Sequence, residues 1–186
     1  MELFPPLEIT WFGGWLIFIW LPITNLVILT TVPKEVRSRL LDRSKFTKSQ
    51  WILTTIGKFF SLITIFLIVL TPLAIGSIEL IVGIILFSLG MIGEVIAVYN
   101  FKMTPLNEPV THGLYKISRN PQETMLTLAI LGACFAVGSI IVIIVFAISR
   151  IFNHFQILAQ EQACLQEYGQ AYQDYMDEIP RYFLFF

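Results

Sequence analysis

The run IELIVGIILFSLGMIGEVIAV, residues 78–98, decides the fold class of this chain. A helix of roughly 20 apolar residues crosses about 30 Å of hydrocarbon and satisfies its own backbone hydrogen bonds where water is absent. Two other runs, residues 11–32 and 52–75, have the same length and apolar character. We therefore predict three membrane-spanning helices before residue 99.

The overall composition agrees with a membrane protein. Hydrophobic residues make up 56% of the 186 residues and charged residues 13%, far from the composition of a soluble domain. The net charge is −1, so nothing favours a nucleic acid as a partner, and the lipid bilayer is the partner that we expect. We predict no metal site. The two histidines, His112 and His154, are far apart in the sequence, and Cys134 and Cys164 do not have the spacing of metal ligands.

A fourth apolar run, residues 124–152, is too long for one comfortable span and too short for two. Gly138 and Ser139 lie near its middle, where a turn between two helices would fall. We predict a tight helical hairpin there, with helices over residues 121–137 and from 139 onward. One long tilted helix that emerges into water is the alternative.

These runs predict an all-α fold, a polytopic membrane helical bundle of about five transmembrane helices in a single domain over residues 1–186. Residues 1–98 supply three spanning helices. Residues 99–186 contain the helical hairpin and a C-terminal interfacial helix.

The loop after the first run orients the bundle. This loop has only two carboxylates, Glu35 and Asp42. Its cations are more numerous: Lys34, Arg37, Arg39, Arg43, Lys45 and Lys48. Because cytoplasmic loops carry an excess of Lys and Arg, residues 34–48 are predicted in the cytoplasm and the amino terminus outside. Alternation of the spans then places residues 99–120 in the cytoplasm.

The connection over residues 99–120 is long for a compact bundle and is therefore suspected of function. It ends in a helix start, with Asn120 as N-cap, Pro121 at the first helical position and Glu123 placed for a capping box. This structural interpretation leaves Arg119 unexplained, because a cation beside a helix amino terminus is unfavourable without an anion. The alternative is a carboxylate or phosphate site at this point.

The terminal segment contains a stripe of residues spaced alternately by three and four: Leu158, Glu161, Leu165, Tyr168, Tyr172 and Tyr175. They share one face if a helix continues through Gly169. Glu161 then lies either at the solvent margin or in a half-buried pocket, where it binds a cation or ribose hydroxyls. The tyrosine rings suit the headgroup zone of a bilayer.

Glu94 lies near the predicted cytoplasmic end of the third span. Ionisable groups inside a membrane usually face the bundle interior or a wet cavity. Glu94 is therefore a candidate for lining the cofactor or substrate cavity, and a structural role is the alternative.

The chain has two polar segments, residues 113–123 and residues 161–181. They resemble the membrane methyltransferases that include isoprenylcysteine carboxyl methyltransferase and the phospholipid N-methyltransferases. That family shows Gly-x-Tyr-x-x-x-Arg-His-Pro-x-Tyr, a helical hairpin, Glu-Glu-x-x-Leu, then Phe-Gly-x-x-Tyr-x-x-Tyr and Pro-Arg. The matching residues here are Gly113, Tyr115, Arg119, Pro121, Glu161, Leu165, Gly169, Tyr172, Tyr175, Pro180 and Arg181. The chain departs from the pattern at Asn120, Glu123 and Gln162, where the family has His, Tyr and Glu.

The resemblance implies an integral membrane enzyme that transfers a methyl group from S-adenosylmethionine to a lipophilic acceptor at the cytoplasmic face. It also implies that residues 99–186 are the cofactor-binding catalytic part. The implied cofactor-binding residues are Gly113, Tyr115, Arg119, Asn120, Pro121, Glu161 and Gln162. Arg119 and Glu123 are the catalytic candidates, and the substrate candidates are Glu94, Tyr172, Tyr175 and Arg181. An isoprenylcysteine-like carboxylate, a phospholipid amine and a thiol stay open as acceptors. An NADPH-dependent membrane reductase and a non-catalytic membrane binding protein are the alternatives.

The predicted orientation can be tested by labelling single cysteines in residues 34–48 and near Asn107, in a background that lacks Cys134 and Cys164. We expect a membrane-impermeant thiol reagent to label both positions from the cytoplasmic side alone, because the positive loop stays inside. Labelling of either position from outside would reverse the orientation.

Overall fold

The structure is a computed structural model that describes residues 1–183. Its helices are α1 (Trp15–Phe18), α2 (Trp20–Thr31), α3 (Lys34–Leu41), α4 (Lys48–Leu70), α5 (Ile78–Met103), α6 (Pro121–Ala136), α7 (Ile140–Tyr168) and α8 (Gln170–Glu178), with one 3-10 turn at Gly113–Lys116. Within residues 1–183 the β structure is limited to two isolated bridges. The prediction of an all-α membrane bundle is confirmed.

Three helices, α4, α5 and α7, are long and apolar enough to cross a membrane. The first predicted span is a shorter apolar helix that begins at Trp15, not at residue 11. The reason is that the backbone just before it is bound to the end of α4: Gly13 forms a bridge with Pro72, and Gly14 N donates to Thr71 O at 2.8 Å. Helix α6, with 16 residues, is also shorter than a full span.

The predicted hairpin is present, and its turn lies at Gly138 and Ser139. Gly138 has a φ of +63°, which glycine adopts without the steric cost of a Cβ. Ser139 Oγ then accepts from Val142 N at 3.4 Å and caps α7. The two helices of the hairpin pack chiefly against different partners, α6 against α5 and α7 against α4.

Helices α5 and α6 approach each other closely because glycines lie at their interface. A Cβ added to Gly83 would lie 2.6 Å from Gly132 O, and one added to Gly90 would lie 2.6 Å from Met125 O. Small residues allow membrane helices to bring their backbones into contact. This interface sets the position of the residues at the C-terminal end of α5 relative to the start of α6.

The loops divide between the two ends of the bundle. At one end, Glu2 N donates to Gly138 O in the hairpin turn at 2.8 Å. At the other end, Lys45 Nζ forms an ion pair with Glu167 Oε2 at 3.0 Å, which joins the basic loop to the last turn of α7. The basic loop and the terminal segment therefore share one end of the bundle.

Gly90→Ala is expected to lower the free energy of unfolding in detergent. The added methyl group would meet the α6 backbone, and overpacking of this kind costs about 1 to 3 kcal/mol. The higher helix propensity of alanine offsets at most about 1 kcal/mol of that cost. Denaturant titration followed by circular dichroism gives the comparison.

Ser88→Ala is the matched control, because Ser88 is an exposed residue of the same helix. This variant should unfold like the wild-type chain. A stabilised Gly90→Ala protein would contradict the close approach of α5 and α6.

Candidate functional site

A buried ion pair holds the two polar segments together. Arg119 precedes α6, Glu161 lies on α7, and each side chain is 4% exposed. Arg119 Nε donates to Glu161 Oε1 at 3.1 Å, and Asn120 Nδ2 donates to the same oxygen at 2.9 Å. Arg181 Nε donates to Glu161 Oε2 at 2.9 Å. Both oxygens of Glu161 are therefore engaged by the protein itself.

Arg119 also binds the end of α8. Its Nη1 donates to Met176 O and to Ile179 O, each at 2.6 Å. The last carbonyls of a helix have no partner within the helix and carry partial negative charge, so a guanidinium is a favourable partner for them. The anion that Arg119 requires beside the start of α6 is thus Glu161, a residue of the same chain.

Gly169 breaks the terminal helix that the stripe of residues suggested. Its φ of +57° and ψ of −129° lie in a region essentially restricted to glycine. Tyr172 and Tyr175 on α8 are nevertheless buried, and Tyr175 Oη donates to Tyr115 O at 2.7 Å. Burial raises the pKa of both tyrosines, which keeps them neutral. Both rings therefore belong to the packed interior of the protein, and their predicted position at the depth of the lipid headgroups stays a prediction.

A cavity of about 990 Å³ opens beside the ion pair, between α2, α3, α5 and the beginning of α6 on one side and α7 and α8 on the other. Eight of the predicted site residues line it: Glu94, Tyr115, Arg119, Asn120, Glu123, Glu161, Tyr172 and Tyr175. The structure therefore brings residues from four separate parts of the chain to one space.

The remaining predicted residues lie around the cavity and not in its wall. Gly113 opens the 3-10 turn, where Asn100 Oδ1 accepts from Leu114 N at 3.0 Å. Pro121 is buried at the first position of α6. Gln162 is exposed, and its Oε1 accepts from Gln50 Nε2 of α4 at 2.9 Å. The predicted contact of Gly113, Pro121 and Gln162 with a cofactor would be indirect in this arrangement. Arg181, a predicted substrate residue, is likewise absent from the cavity wall and binds Glu161.

Glu123 does not form the predicted capping box. The side chain of Asn120 makes no cap hydrogen bond, since it is directed to Glu161. Glu123 Oε2 lies 3.9 Å from Arg150 Nη1, and Glu123 Oε1 accepts from Gln156 Nε2 at 3.4 Å. Sequence reasoning gave Arg150 no role in the site, although an arginine in an apolar span was a signal that a partner had to exist.

Three buried polar atoms of cavity-lining residues have no hydrogen-bond partner within residues 1–183: Glu94 Oε2, Gln122 Nε2 and Arg43 Nε. Such atoms cost free energy unless something satisfies them, so each one needs an explanation. Each atom is closed off from the cavity in this arrangement, so a ligand would reach it only after a movement of the side chain. Gln122 and Arg43 were not among the predicted site residues, because nothing in their spacing distinguishes them.

Comparison with known proteins identifies one family. Residues 66–171 match the family model PEMT, described as phospholipid methyltransferase. The matched range is more than half of the chain and includes all of α5, α6 and α7. No curated protein and no solved structure gives a match to the chain.

Glu161→Ala is expected to lower the free energy of unfolding by about 3 to 5 kcal/mol, because it leaves the buried Arg119 without its carboxylate. Urea titration in detergent measures the change. The control is Glu167→Ala on the same helix, which removes an exposed pair with Lys45 and should cost less than about 1 kcal/mol. Equal losses in the two variants would contradict a special role for the buried pair.

Proposed function

Because the chain belongs to the phospholipid methyltransferase family, we propose that it transfers a methyl group from S-adenosylmethionine to a lipophilic acceptor at the cytoplasmic face of the membrane. The family and the three long apolar helices make it an integral membrane methyltransferase. The observation that supports the proposed donor and acceptor is the cavity, because polar residues of both segments and apolar residues of α2 and α5 line it together.

The cavity suits S-adenosylmethionine in size and in polar groups. Ligand sites of about 300 to 1,000 Å³ are typical for small molecules, and this cavity of about 990 Å³ lies at the upper end. The unpartnered Gln122 Nε2 and Arg43 Nε would hold the carboxylate of the donor. Tyr115 and Tyr172 would offer aromatic surface to its adenine.

When bound, S-adenosylmethionine supplies an electrophilic methyl group on a sulfonium sulfur. A carboxylate or thiolate acceptor needs little acid or base help, so the protein acts by positioning and by excluding water. An amine acceptor must lose a proton, and Glu161 is poorly placed to take it because Arg119, Asn120 and Arg181 occupy both of its oxygens. Glu123, whose contacts with Arg150 and Gln156 are long, is therefore the candidate base for an amine acceptor.

The acceptor reaches the cavity from the bilayer in this proposal. Ile28 and Leu29 of α2 and Val98 of α5 form an apolar part of the wall, and Leu126 of α6 extends it. A lipid chain left in hydrocarbon concentrates the acceptor and fixes its reactive end, so that binding energy remote from the reacting atom aids orientation. An isoprenylcysteine-like carboxylate, a phospholipid amine and a lipid thiol all fit this description.

The basic residues in the cavity wall support the proposed cytoplasmic orientation. Arg39, Arg43 and Lys45 line the cavity, and they belong to the basic loop over residues 34–48. Loops with such an excess of Lys and Arg are typically cytoplasmic, so we propose that the cavity opens to the cytoplasm.

The proposal is tested on the reconstituted protein. Isothermal titration is expected to show binding of S-adenosylmethionine and no binding of NADPH. Radiolabelled S-adenosylmethionine is then incubated with two acceptors that carry the same reactive end, one with a lipid chain and one without it. We expect label in the chain-bearing acceptor alone, since the chain supplies the orienting binding energy.

Two outcomes would count against the proposal. NADPH binding without S-adenosylmethionine binding would indicate a reductase. Equal labelling of the chainless acceptor would point to a small water-soluble substrate and would contradict access from the bilayer.

A further inference from the structure

Residues 32–47 join α2 to α4, contain α3 and lie along one side of the cavity. We call this segment the strap. Its residues between Glu35 and Lys45 supply much of the cavity wall on the side of the basic loop, and α7 and α8 supply the wall that faces them. A ligand that comes from the water on this side would pass between the strap and α7.

One side of the strap is held by apolar packing. Val32 and Val36 are buried, and they pack against Val98 of α5. At the end of the strap, Thr47 and Gln50 form a capping box that fixes the start of α4. Apolar burial is lost only when the surface is exposed to water, so this side of the strap is suited to act as a hinge.

The other side of the strap is held by Arg39, whose contacts are polar. Arg39 donates to Pro105 O at 3.0 Å and also to Glu108 O, in the connection after α5. Its guanidinium carbon lies 4.9 Å from the ring centre of Phe101 on α5 and 5.5 Å from that of Tyr168 on α7. Arg39 therefore connects the strap to two walls of the cavity.

Lys45 provides a second polar contact with α7. Its Nζ forms an ion pair with Glu167 Oε2 at 3.0 Å and donates to Ala163 O at 3.5 Å. Exposed charge contacts of this kind contribute little individually, because water competes with them and salt screens them. We call Arg39 and Lys45 the latch, because their contacts can break without loss of the apolar packing on the hinge side.

Arg43 lies between the two latch residues and opposes the closed arrangement. Its Nε is buried and has no hydrogen-bond partner within residues 1–183. Lys58 of α4, a like charge, is a neighbour of Arg43. An unsatisfied buried donor and a nearby like charge both cost free energy, which a movement of Arg43 into water would recover. The strap thus combines a weak latch with a residue that favours its release.

We propose that the strap is a lid that opens on the side of α7 when Arg39 and Lys45 release, and that S-adenosylmethionine enters and leaves the cavity through this opening. The identity of the ligand rests on the proposed function, whereas the movement is inferred from the contacts of the strap alone. Opening brings Arg43 within reach of the carboxylate of the donor, which forms a charge-assisted hydrogen bond with it. A bound donor therefore favours closure, because it satisfies Arg43 in the closed arrangement.

Cys164 is a native reporter of the opening. It lines the cavity on α7, is half-buried, and has Arg39 and Glu167 as charged neighbours. Cys134 is fully buried in the core and reports on general unfolding. Two forms of the full chain, each with one of these cysteines replaced by alanine, are reacted in lipid nanodiscs with a bulky water-soluble thiol reagent and no ligand. The rate follows the open population when the lid moves faster than the reagent reacts.

The latch variants should expose Cys164. Arg39→Gln is expected to react about tenfold faster, since it removes the contacts with two aromatic rings, and Lys45→Gln roughly two- to fivefold faster. The loss of Arg39 also disfavours the thiolate of Cys164, so the direct electrostatic effect acts against this acceleration. Arg43→Met should react more slowly than the wild-type chain, because it keeps the apolar stem and removes the charge that opposes closure.

Arg37→Gln is the matched control, since it removes the same charge from the same helix. Arg37 donates to Leu29 O of α2 at 3.1 Å, so its hydrogen bond does not cross the cavity. This variant should label Cys164 at the wild-type rate. The rate at Cys134 should be the same in all variants, which separates opening of the lid from a general loss of stability.

The route of the donor is tested by the release of bound radiolabelled S-adenosylmethionine after dilution into unlabelled ligand. Arg39→Gln should release it about tenfold faster than the wild-type chain, in parallel with the labelling of Cys164. Arg37→Gln should release it at the wild-type rate.

Three labelling results would overturn the lid: an unchanged rate at Cys164 in Arg39→Gln, equal acceleration in Arg37→Gln, or acceleration at Cys134 together with Cys164. Faster labelling with unchanged release of S-adenosylmethionine would overturn the assigned route. A failure of the proposed function is distinguishable, because the wild-type chain would then not bind S-adenosylmethionine, while the labelling rates, which need no ligand, would still decide the movement.

Discussion

The ion pair between Arg119 and Glu161 is the interaction on which the rest of the site depends. It joins the start of α6 to α7, and through the carbonyls of Met176 and Ile179 it also fixes the end of α8. A buried ion pair adds little net stability, but the loss of one partner leaves an uncompensated charge and is strongly unfavourable. The pair therefore restricts these helices to one arrangement. These helices form part of the cavity wall, so the ion pair also holds that part of the wall in place.

The sequence predicts the parts of this fold that are set locally. Long apolar runs identify α4, α5 and α7, and a glycine with a following serine marks the hairpin turn at Gly138 and Ser139, because both signals depend on neighbouring residues alone. The late start of the first apolar helix, at Trp15, could not be predicted because it depends on a contact with a distant part of the chain. The backbone before the helix is held by the hydrogen bond from Gly14 N to Thr71 O at the end of α4. The composition of the segment does not indicate that contact.

In the site, too, the sequence indicates individual residues but not the contacts between distant parts of the chain. Arg119 and Glu161 were recognisable as unusual residues, but their mutual pairing joins positions far apart in the chain, and no spacing rule connects them. The break at Gly169 was hidden, since the residues on either side keep a helical spacing of three and four while the backbone turns between them. Glu94 could be suspected from its place in a span. That one of its oxygens is unsatisfied could be learned from the structure alone.

The backbone hydrogen bond between Glu2 and Gly138 has a consequence for the order of folding. Glu2 is bound to a turn that is synthesised much later, after α4, α5 and α6. Contacts of such large sequence separation form slowly, because chain entropy opposes them until the intervening elements are in place. This end of the bundle is therefore expected to close late in folding, after the helices between the two partners have packed.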